Sequence, residues 1–176
     1  NKKLYEEVQY LANQAKDDTF NYIHNNCGYN YKINSISAAL GISQFRRVKQ
    51  KIILRKKIYK QYLQNFKNLK DIQILSFDKK SKINYWMNVL FFKKLNLKQT
   101  YNLSLYLNKN KIETRRIWRP LNLQRHLKKF QTYNILNAPI FYSRSLCVPS
   151  DDNIKISDVN KISNHIKKFL KSTQNK

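Results

Sequence analysis

One short stretch, CGYNYKINSISAALG at residues 27–41, concentrates features that could serve a binding site. The 176-residue chain contains two glycines, and both lie here, as Gly28 and Gly41. Glycine is used where the backbone takes a positive φ or where another group must come close. A glycine turn and a helix cap without any ligand would also explain this spacing. The stretch therefore predicts a backbone specialisation, whether for a ligand or for the fold alone.

A second stretch, ETRRIWRPLNLQ at 113–124, combines cations with an aromatic ring. An arginine such as Arg115 can bind a phosphate through its planar fork. Trp118 can pack on the face of a sugar or base, although a tryptophan at this position is more typical of a core. The composition alone leaves both interpretations of Trp118 open.

The histidine and cysteine content indicates no metal centre. His24 and Cys27 have H-x-x-C spacing, but no second ligand pair lies nearby. The two cysteines cannot form a dense disulfide framework. No secretion signal or membrane-length apolar run is visible, so we expect reduced thiols and a cytoplasmic location.

The net charge of +25, from 35 Lys and Arg against 10 Asp and Glu, has two explanations. A nucleic-acid surface would use such cations to neutralise phosphates. However, the lysines are scattered and outnumber the arginines, which nucleic-acid readers favour for bidentate contacts. The chain is also rich in Asn, Ile, Tyr and Phe, as A/T-rich codons produce. We favour compositional drift and expect no nucleic-acid partner; a small basic nucleic-acid-binding protein is the alternative function.

The hydrophobic pattern predicts a long helix followed by a small α/β domain. Apolar residues recur three or four apart from Ile36 to Phe66, which predicts one helix of about thirty residues, capped by Asn34 or Ser35. Strands are predicted at 72–77, 84–92 and 111–118. Helices are predicted at 2–15, 98–110, 131–146 with Pro139 near a start, and 157–170 with Ser157 as cap. We expect residues 1–33 to be the tail of another domain, 34–70 a linking helix and 71–176 a small α/β sandwich.

The chain resembles the DegT/DnrJ/EryC1/StrS family of pyridoxal phosphate (PLP) aminotransferases, which act on nucleotide-linked keto-sugars. The resemblance starts with YIHNNCGYNYKINSISAALGISQ, similar to the GYNYR-type signature of the family. It continues in family order through INYWMNVLFF, KIETRRIWRPLNLQ and YSRSLCVPSDDNI. The opening LANQAKDD is similar to the branch that aminates UDP-linked 4-keto-6-deoxy-N-acetylhexosamines.

This resemblance implies the C-terminal part of a fold-type I PLP aminotransferase, with the fold class α/β. In the family, the Schiff-base lysine and the aspartate at the pyridinium nitrogen belong to a preceding large domain. The resemblance places both upstream of this chain, which by itself is then expected to lack catalytic residues and activity. The parent reaction would move an amino group from glutamate to a nucleotide-linked keto-sugar in a homodimer, for bacterial polysaccharide or glycan biosynthesis. No membrane partner is expected.

The same resemblance assigns expected roles to the glycine-flanked stretch. In the family this loop crosses the dimer, and the residue matching Asn30 binds the PLP phosphate of the partner subunit. Gly28 would permit a sharp turn, and Gly41 would permit close helix packing. Lys32 replaces a frequent arginine and keeps its charge without its fork. His24 is a candidate for the substrate site.

The resemblance also places the second stretch beside the sugar and nucleotide of the substrate. Arg115 and Trp118 match the family pattern there. Asn122 stands where the family often has histidine, in a PLH motif. That departure removes the proton-carrying side chain from this position.

Overall fold

The computed structural model describes residues 1–18, 20–78 and 80–174. The chain divides into two compact units, Asn1–Val48 and Lys49–Lys176. Among the described helices, none is long and apolar enough to cross a membrane.

The first unit contains two helices joined by an irregular segment. Helix α1 spans Lys2–Ala12 and α2 spans Ser35–Arg46, and neither contains a buried residue. Asn34 caps α2 by accepting a hydrogen bond from the Ser37 N–H at 2.8 Å, which confirms the predicted cap.

The prediction of one continuous helix over 34–66 is wrong. Helix α2 ends at Arg46, and a separate helix α3 spans Val48–Phe66. Between them the Arg47 N–H bonds the Gln44 carbonyl at 3.1 Å, a tight bond of the kind that ends helices. The apolar spacing continues across Arg47, so periodicity alone could not reveal the break.

The second unit is built on a three-stranded antiparallel sheet in the order β1-β2-β3. Strand β1 spans Ile72–Ile74, β2 spans Asn88–Phe92 and β3 spans Ser145–Val148. In register, Leu90 of β2 lies opposite Ile74 and Leu146. Because side chains alternate along a strand, these residues share one face of the sheet.

Helices α3, α4 (Leu97–Lys109) and α6 (Ile156–Gln174) contribute to the core of this unit together with that sheet face. Asn96 and Gln99 begin α4 with a reciprocal capping box. Helix α5 (Asn137–Arg144) meets the opposite sheet face where Phe141 packs on Phe91, with ring centroids 4.9 Å apart. The cluster of buried side chains comprises Ile58, Tyr59, Tyr62, Phe66, Ile72, Ile74, Leu90, Phe92, Leu95, Leu103, Leu107, Leu146, Val148, Val159, Ile162 and Ile166.

Three further predictions for this unit need correction. Residues 111–118 form no strand and meet the sheet by one bridge, Arg115 to Cys147. The predicted helix 131–146 is confined to Asn137–Arg144, with Pro139 in its first turn as expected, and the chain then becomes β3. Helix α6 begins at Ile156, so Ser157 lies inside its first turn rather than capping it. The mixture of helices with a small antiparallel sheet agrees with the predicted α/β class.

Candidate functional site

The predicted site residues fall into two groups, one in each unit. His24 and Asn30 line a cavity of the first unit. Arg115 and Trp118 line a cavity of the second. Lys32 and Asn122 line neither of these two cavities.

Asn30 lies on a backbone segment that is hydrogen-bonded to the end of α1. The Tyr29 N–H bonds Leu11 O at 2.7 Å, and the Tyr31 N–H bonds Ala12 O at 3.0 Å. Asn30 itself bridges to Asn13 in antiparallel fashion. These bonds fix the main chain on both sides of Asn30 while its side chain remains exposed.

Gly28 allows this segment to approach the turn after α1. A Cβ atom at Gly28 would overlap the carbonyl carbon of Gln14 and the nitrogen of Ala15. Gly28 has no positive φ; instead, Gln14 and Ala15 take left-handed conformations, with φ of 69° and 48°. The expected sharp turn at Gly28 is therefore a close approach of two backbone segments.

The cavity beside this contact has a volume of about 490 Å³, and several of its lining residues have polar side chains. Lys16, Asn26 and Asn30 contribute ammonium and amide groups. No hydrogen bond within the described chain engages the side-chain amide of Asn30. Ammonium and amide N–H groups donate hydrogen bonds, so this set suits an oxyanion.

His24 lines the same cavity with a defined ring orientation. Its Nδ1 lies 2.7 Å from the carbonyl oxygen of Gln14, which can only accept, so Nδ1 carries the proton. In the neutral ring this leaves Nε2 as an acceptor. Nε2 of His24 can therefore accept a hydrogen bond from a hydroxyl group.

The cavity of the second unit has a volume of about 570 Å³. Successive residues of the segment that carries Arg115 and Trp118 form contacts with neighbouring elements of the second unit. Thr114 Oγ1 is 3.0 Å from Ser104 Oγ of α4, and the Arg115 and Cys147 backbones exchange two hydrogen bonds. Arg116 donates to Tyr142 O at 2.9 Å and stacks on the Tyr142 ring at 4.1 Å. These contacts explain how a segment outside the sheet is nevertheless ordered.

Trp118 is not a core residue, because 71% of its surface is exposed. Its ring meets Trp86 edge to face, with centroids 6.4 Å apart and planes at 64°. Trp86 also lines the cavity and was not identified from the sequence. The available signal was its type, since Trp86 and Trp118 are the two tryptophans of the chain.

Arg55 also lines the cavity and was not identified from the sequence. It lies in a lysine-rich helix, and such a composition is typical of a solvent-exposed surface. Its Nη2 donates to Asp152 Oδ1 at 3.3 Å, and Lys51 Nζ lies 3.8 Å from Asp152 Oδ2. Asp152 is largely buried, with 7% of its side chain exposed, so these cations compensate its charge. The Arg55–Asp152 ion pair joins α3 to the turn after β3, and this turn completes the cavity wall.

Cys147 lines the cavity as a protonated thiol. Burial raises its pKa to about 11, and the positive charge of Arg115 opposes that rise. A thiol with this pKa is a poor nucleophile at neutral pH. Among the described residues, no group of three His, Cys, Asp or Glu side chains could hold a metal ion.

Asn122 lies in a short 3-10 helix, Leu121–Leu123. Its Oδ1 is buried and has no hydrogen-bond partner in the part of the chain that the structure describes. This acceptor is turned away from solvent, which differs from the substrate-facing position expected from the sequence. A Cβ atom added at Gly41 would meet no atom of the described residues within 4 Å beyond its own helix backbone, so they show no close helix contact there.

Comparison with known proteins matches the chain to one family of enzymes. Residues 1–167 match the DegT/DnrJ/EryC1/StrS aminotransferase family. A Bacillus subtilis (strain 168) protein described as a pyridoxal phosphate-dependent aminotransferase, EpsN, is 25% identical over 162 residues. That match covers 85% of the chain and 39% of EpsN.

Solved structures show the same fold at lower identity. One match is Helicobacter pylori PseC, an aminotransferase involved in the biosynthesis of pseudoaminic acid. Its TM-score is 0.83 at 20% identity, and the match covers 98% of the chain and 47% of PseC. The chain also matches the PLP form of Spr1654, described as a sugar aminotransferase from Streptococcus pneumoniae, with a TM-score of 0.84 at 20% identity, covering 97% of the chain and 44% of Spr1654. The chain spans less than half the length of these relatives. All three are described as aminotransferases, which gives the nucleic-acid alternative no support.

Proposed function

The chain belongs to the DegT/DnrJ/EryC1/StrS aminotransferase family, and we propose on this premise that it forms the C-terminal part of a cytoplasmic nucleotide-sugar aminotransferase. The parent reaction would move an amino group from glutamate to a nucleotide-linked keto-sugar, in bacterial glycan or polysaccharide biosynthesis. Within a fold-type I arrangement, residues 1–33 would complete the large domain and 71–176 would form the small one. The family match over residues 1–167 supports this assignment.

Enzymes of this family depend on pyridoxal phosphate, and Spr1654 has been solved in both PLP and PMP forms. The first-unit cavity fits the phosphate of this cofactor, because Lys16 and the uncommitted amide of Asn30 supply donors to an oxyanion. When bound, the cofactor supplies an electron sink for the amino-group transfer. The residues of this chain would bind and orient it, and none of the lysines of the chain matches the family's Schiff-base lysine.

The proposal assigns roles to residues of each unit separately. Arg115 would bind a phosphate of the nucleotide, and Trp118 would pack on a ring of the substrate. His24 would accept a hydrogen bond through Nε2. Lys32 would supply a charge contact to the substrate. Asn122 would contact the substrate after a side-chain rotation that exposes its Oδ1.

The observation that carries the proposal is the exposed Asn30 amide, which lies on a hydrogen-bonded main-chain segment and has no hydrogen-bond partner among the described residues. In the complete protein that contains these residues, Asn30→Ala should weaken PLP binding by about ten- to a hundredfold. This corresponds to the roughly 1.5–3 kcal/mol of a hydrogen bond to a charged group. Titration with PLP, followed by its absorbance, measures the change. Asn25→Ala is the matched control, because its side chain is exposed in the same segment and does not line the cavity.

A mixing experiment tests the proposed cross-subunit role of Asn30. An Asn30→Ala subunit is combined with a subunit that lacks the Schiff-base lysine. In the mixed dimer, the site with the intact lysine receives Asn30 from the other subunit and should recover activity. If mixed dimers form without recovery, the loop serves its own subunit and the homodimer assignment of Asn30 is wrong.

A further inference from the structure

Both tryptophans of the chain line the same cavity of the second unit. Trp86 is 54% exposed and Trp118 is 71% exposed, so neither ring is buried in the core. Because the rings meet edge to face and both are more than half exposed, indole surface remains available to a ligand. Paired exposed aromatics at a cavity are characteristic of binding sites, because they offer large apolar area at low entropic cost.

The backbone around Trp86 is in an unusual conformation. Tyr85 and Met87, on either side, have φ values of 54° and 67°, which L-residues adopt at a cost. Asn84 Oδ1 accepts the Trp86 N–H at 3.0 Å, and Ser150 Oγ accepts the Met87 N–H at 3.2 Å. Tyr85 packs on the Tyr59 ring at 5.5 Å, which fixes the turn from its other side. These contacts hold Trp86 outward.

Cationic groups lie in the wall of the same cavity. The Arg115 side chain is 81% exposed, and it forms an ion pair at 3.1 Å with Glu113, whose side chain is 76% exposed. Exposed pairs of this kind contribute little, so Arg115 can exchange Glu113 for a ligand anion at small cost. Arg55 and Arg116 add two further guanidinium groups to the lining, the first paired with Asp152 and the second bonded to the Tyr142 carbonyl. The cavity therefore offers an aromatic surface next to an available phosphate-binding group.

We propose that Trp86 is a further ligand-contacting residue whose exposed face stacks the base of a nucleoside diphosphate, with Trp118 packing against the same base at an angle and Arg115 binding the phosphates. This assignment rests on the proposed function and extends it to one subsite. Base–aromatic stacking tolerates any base, because every base presents a π-face. UDP is therefore a suitable probe.

The tryptophan fluorescence of the 176-residue chain reports on this cavity alone, since both fluorophores line it. UDP should quench the emission in a saturable way. Uridine and inorganic diphosphate, added separately, should each bind more weakly than UDP. The Trp118→Phe variant retains only Trp86 as fluorophore and should still respond, which assigns the contact to Trp86.

Substitutions then test each contact against a matched control. Trp86→Ala should weaken UDP binding about five- to a hundredfold, equivalent to the ~1–3 kcal/mol of one stacked base, whereas Trp86→Phe should retain most of the affinity. Tyr133→Ala, at an aromatic residue that is 88% exposed outside the cavity lining, should leave it unchanged. Arg115→Ala should weaken UDP and diphosphate but not uridine, and Arg125→Ala should weaken none. Circular dichroism establishes that each variant is folded.

Several outcomes would overturn the inference. If N-acetylglucosamine quenches as strongly as UDP, a sugar ring rather than a base occupies the tryptophan pair. If diphosphate binds as well as UDP and uridine gives no signal, Trp86 is not a ligand contact. Failure of UDP binding in an enzyme that aminates a nucleotide-linked sugar would refute this subsite alone. UDP binding without aminotransferase activity in the complete protein would refute the proposed function and leave the subsite standing.

Discussion

The two units of the chain differ in how they bury apolar surface. In residues 49–174 as described, helices and sheet enclose a continuous core that includes Tyr62, Leu90 and Leu103. In residues 1–48, apart from Thr19, Ala15 is the one buried residue. Ile36 and Phe45 of α2 are 76% and 77% exposed.

This difference indicates that the units obtain their stability in different ways. The second unit gains from hydrophobic burial, which is worth roughly 25 cal/mol per Å². The first unit depends within the chain on capping and backbone hydrogen bonds such as those around Asn30. Contiguous exposed apolar residues on such a unit typically mark a surface that another protein segment covers. The following tests compare matched residues.

The largest difference should appear between two leucines in helices. Leu103 of α4 is fully buried and Leu40 of α2 is 61% exposed. Leu103→Ala should lower the free energy of unfolding by about 2–5 kcal/mol, because it leaves a cavity in the core. Leu40→Ala should change it by less than about 0.5 kcal/mol. Urea denaturation followed by circular dichroism measures both, and equal losses would contradict the contrast.

The two glycines of the first unit should respond in opposite directions. Gly28→Ala forces a methyl group against the Gln14 and Ala15 backbone and should cost about 1–3 kcal/mol. Gly41→Ala adds a methyl group in open space within a helix and should stabilise by about 0.5–1 kcal/mol. Hydrogen exchange at the Tyr29 and Ala15 amides reports the first change. If Gly41→Ala instead breaks an oligomer in size-exclusion chromatography, Gly41 serves an intermolecular contact.

The two asparagine caps provide a smaller contrast. Asn96 begins α4 in a capping box, while Asn34 begins α2 with one side-chain bond. Asn96→Ala should lower the free energy of unfolding of the second unit by about 1–2 kcal/mol. Asn34→Ala should mainly reduce the helicity of α2, because this helix packs no buried residue. Equal losses in global stability would show that α2 unfolds together with the core.

The two cysteines should differ in their reactivity towards thiol reagents, and this difference involves no change in the stability of the protein at neutral pH. Cys27 is exposed, and Cys147 is buried with its pKa raised to about 11. A thiol-specific reagent at mildly alkaline pH should therefore modify Cys27 quickly and Cys147 slowly, with Cys27→Ser removing the fast phase.

Because the folded state favours the neutral Cys147 thiol, the free energy of unfolding should fall as pH rises from about 9 to about 11. Cys147→Ser should remove this part of the pH dependence, and an unchanged profile would contradict it.

Local features of the fold could be predicted from local sequence. The Asn34 cap, the position of Pro139 in the first turn of α5, and helices near 98–110 and 157–170 depend on residues within one or two turns of each other. Strand β3 was missed because its register depends on β2, more than fifty residues away. The break at Arg47 was missed because the apolar spacing is the same on both sides.

The sequence by itself determined the family, the α/β class and the identity of Arg115 and Trp118 as site candidates. These follow from ordered motifs and from the chemistry of single side chains. Only the tertiary structure decided that Trp86 faces the same cavity as Trp118, that Gly28 serves a close approach, and that Asn122 points its oxygen inward. The reason is physical: positive φ values, buried orphan atoms and contacts between distant segments result from packing, which side-chain types and spacing do not encode locally.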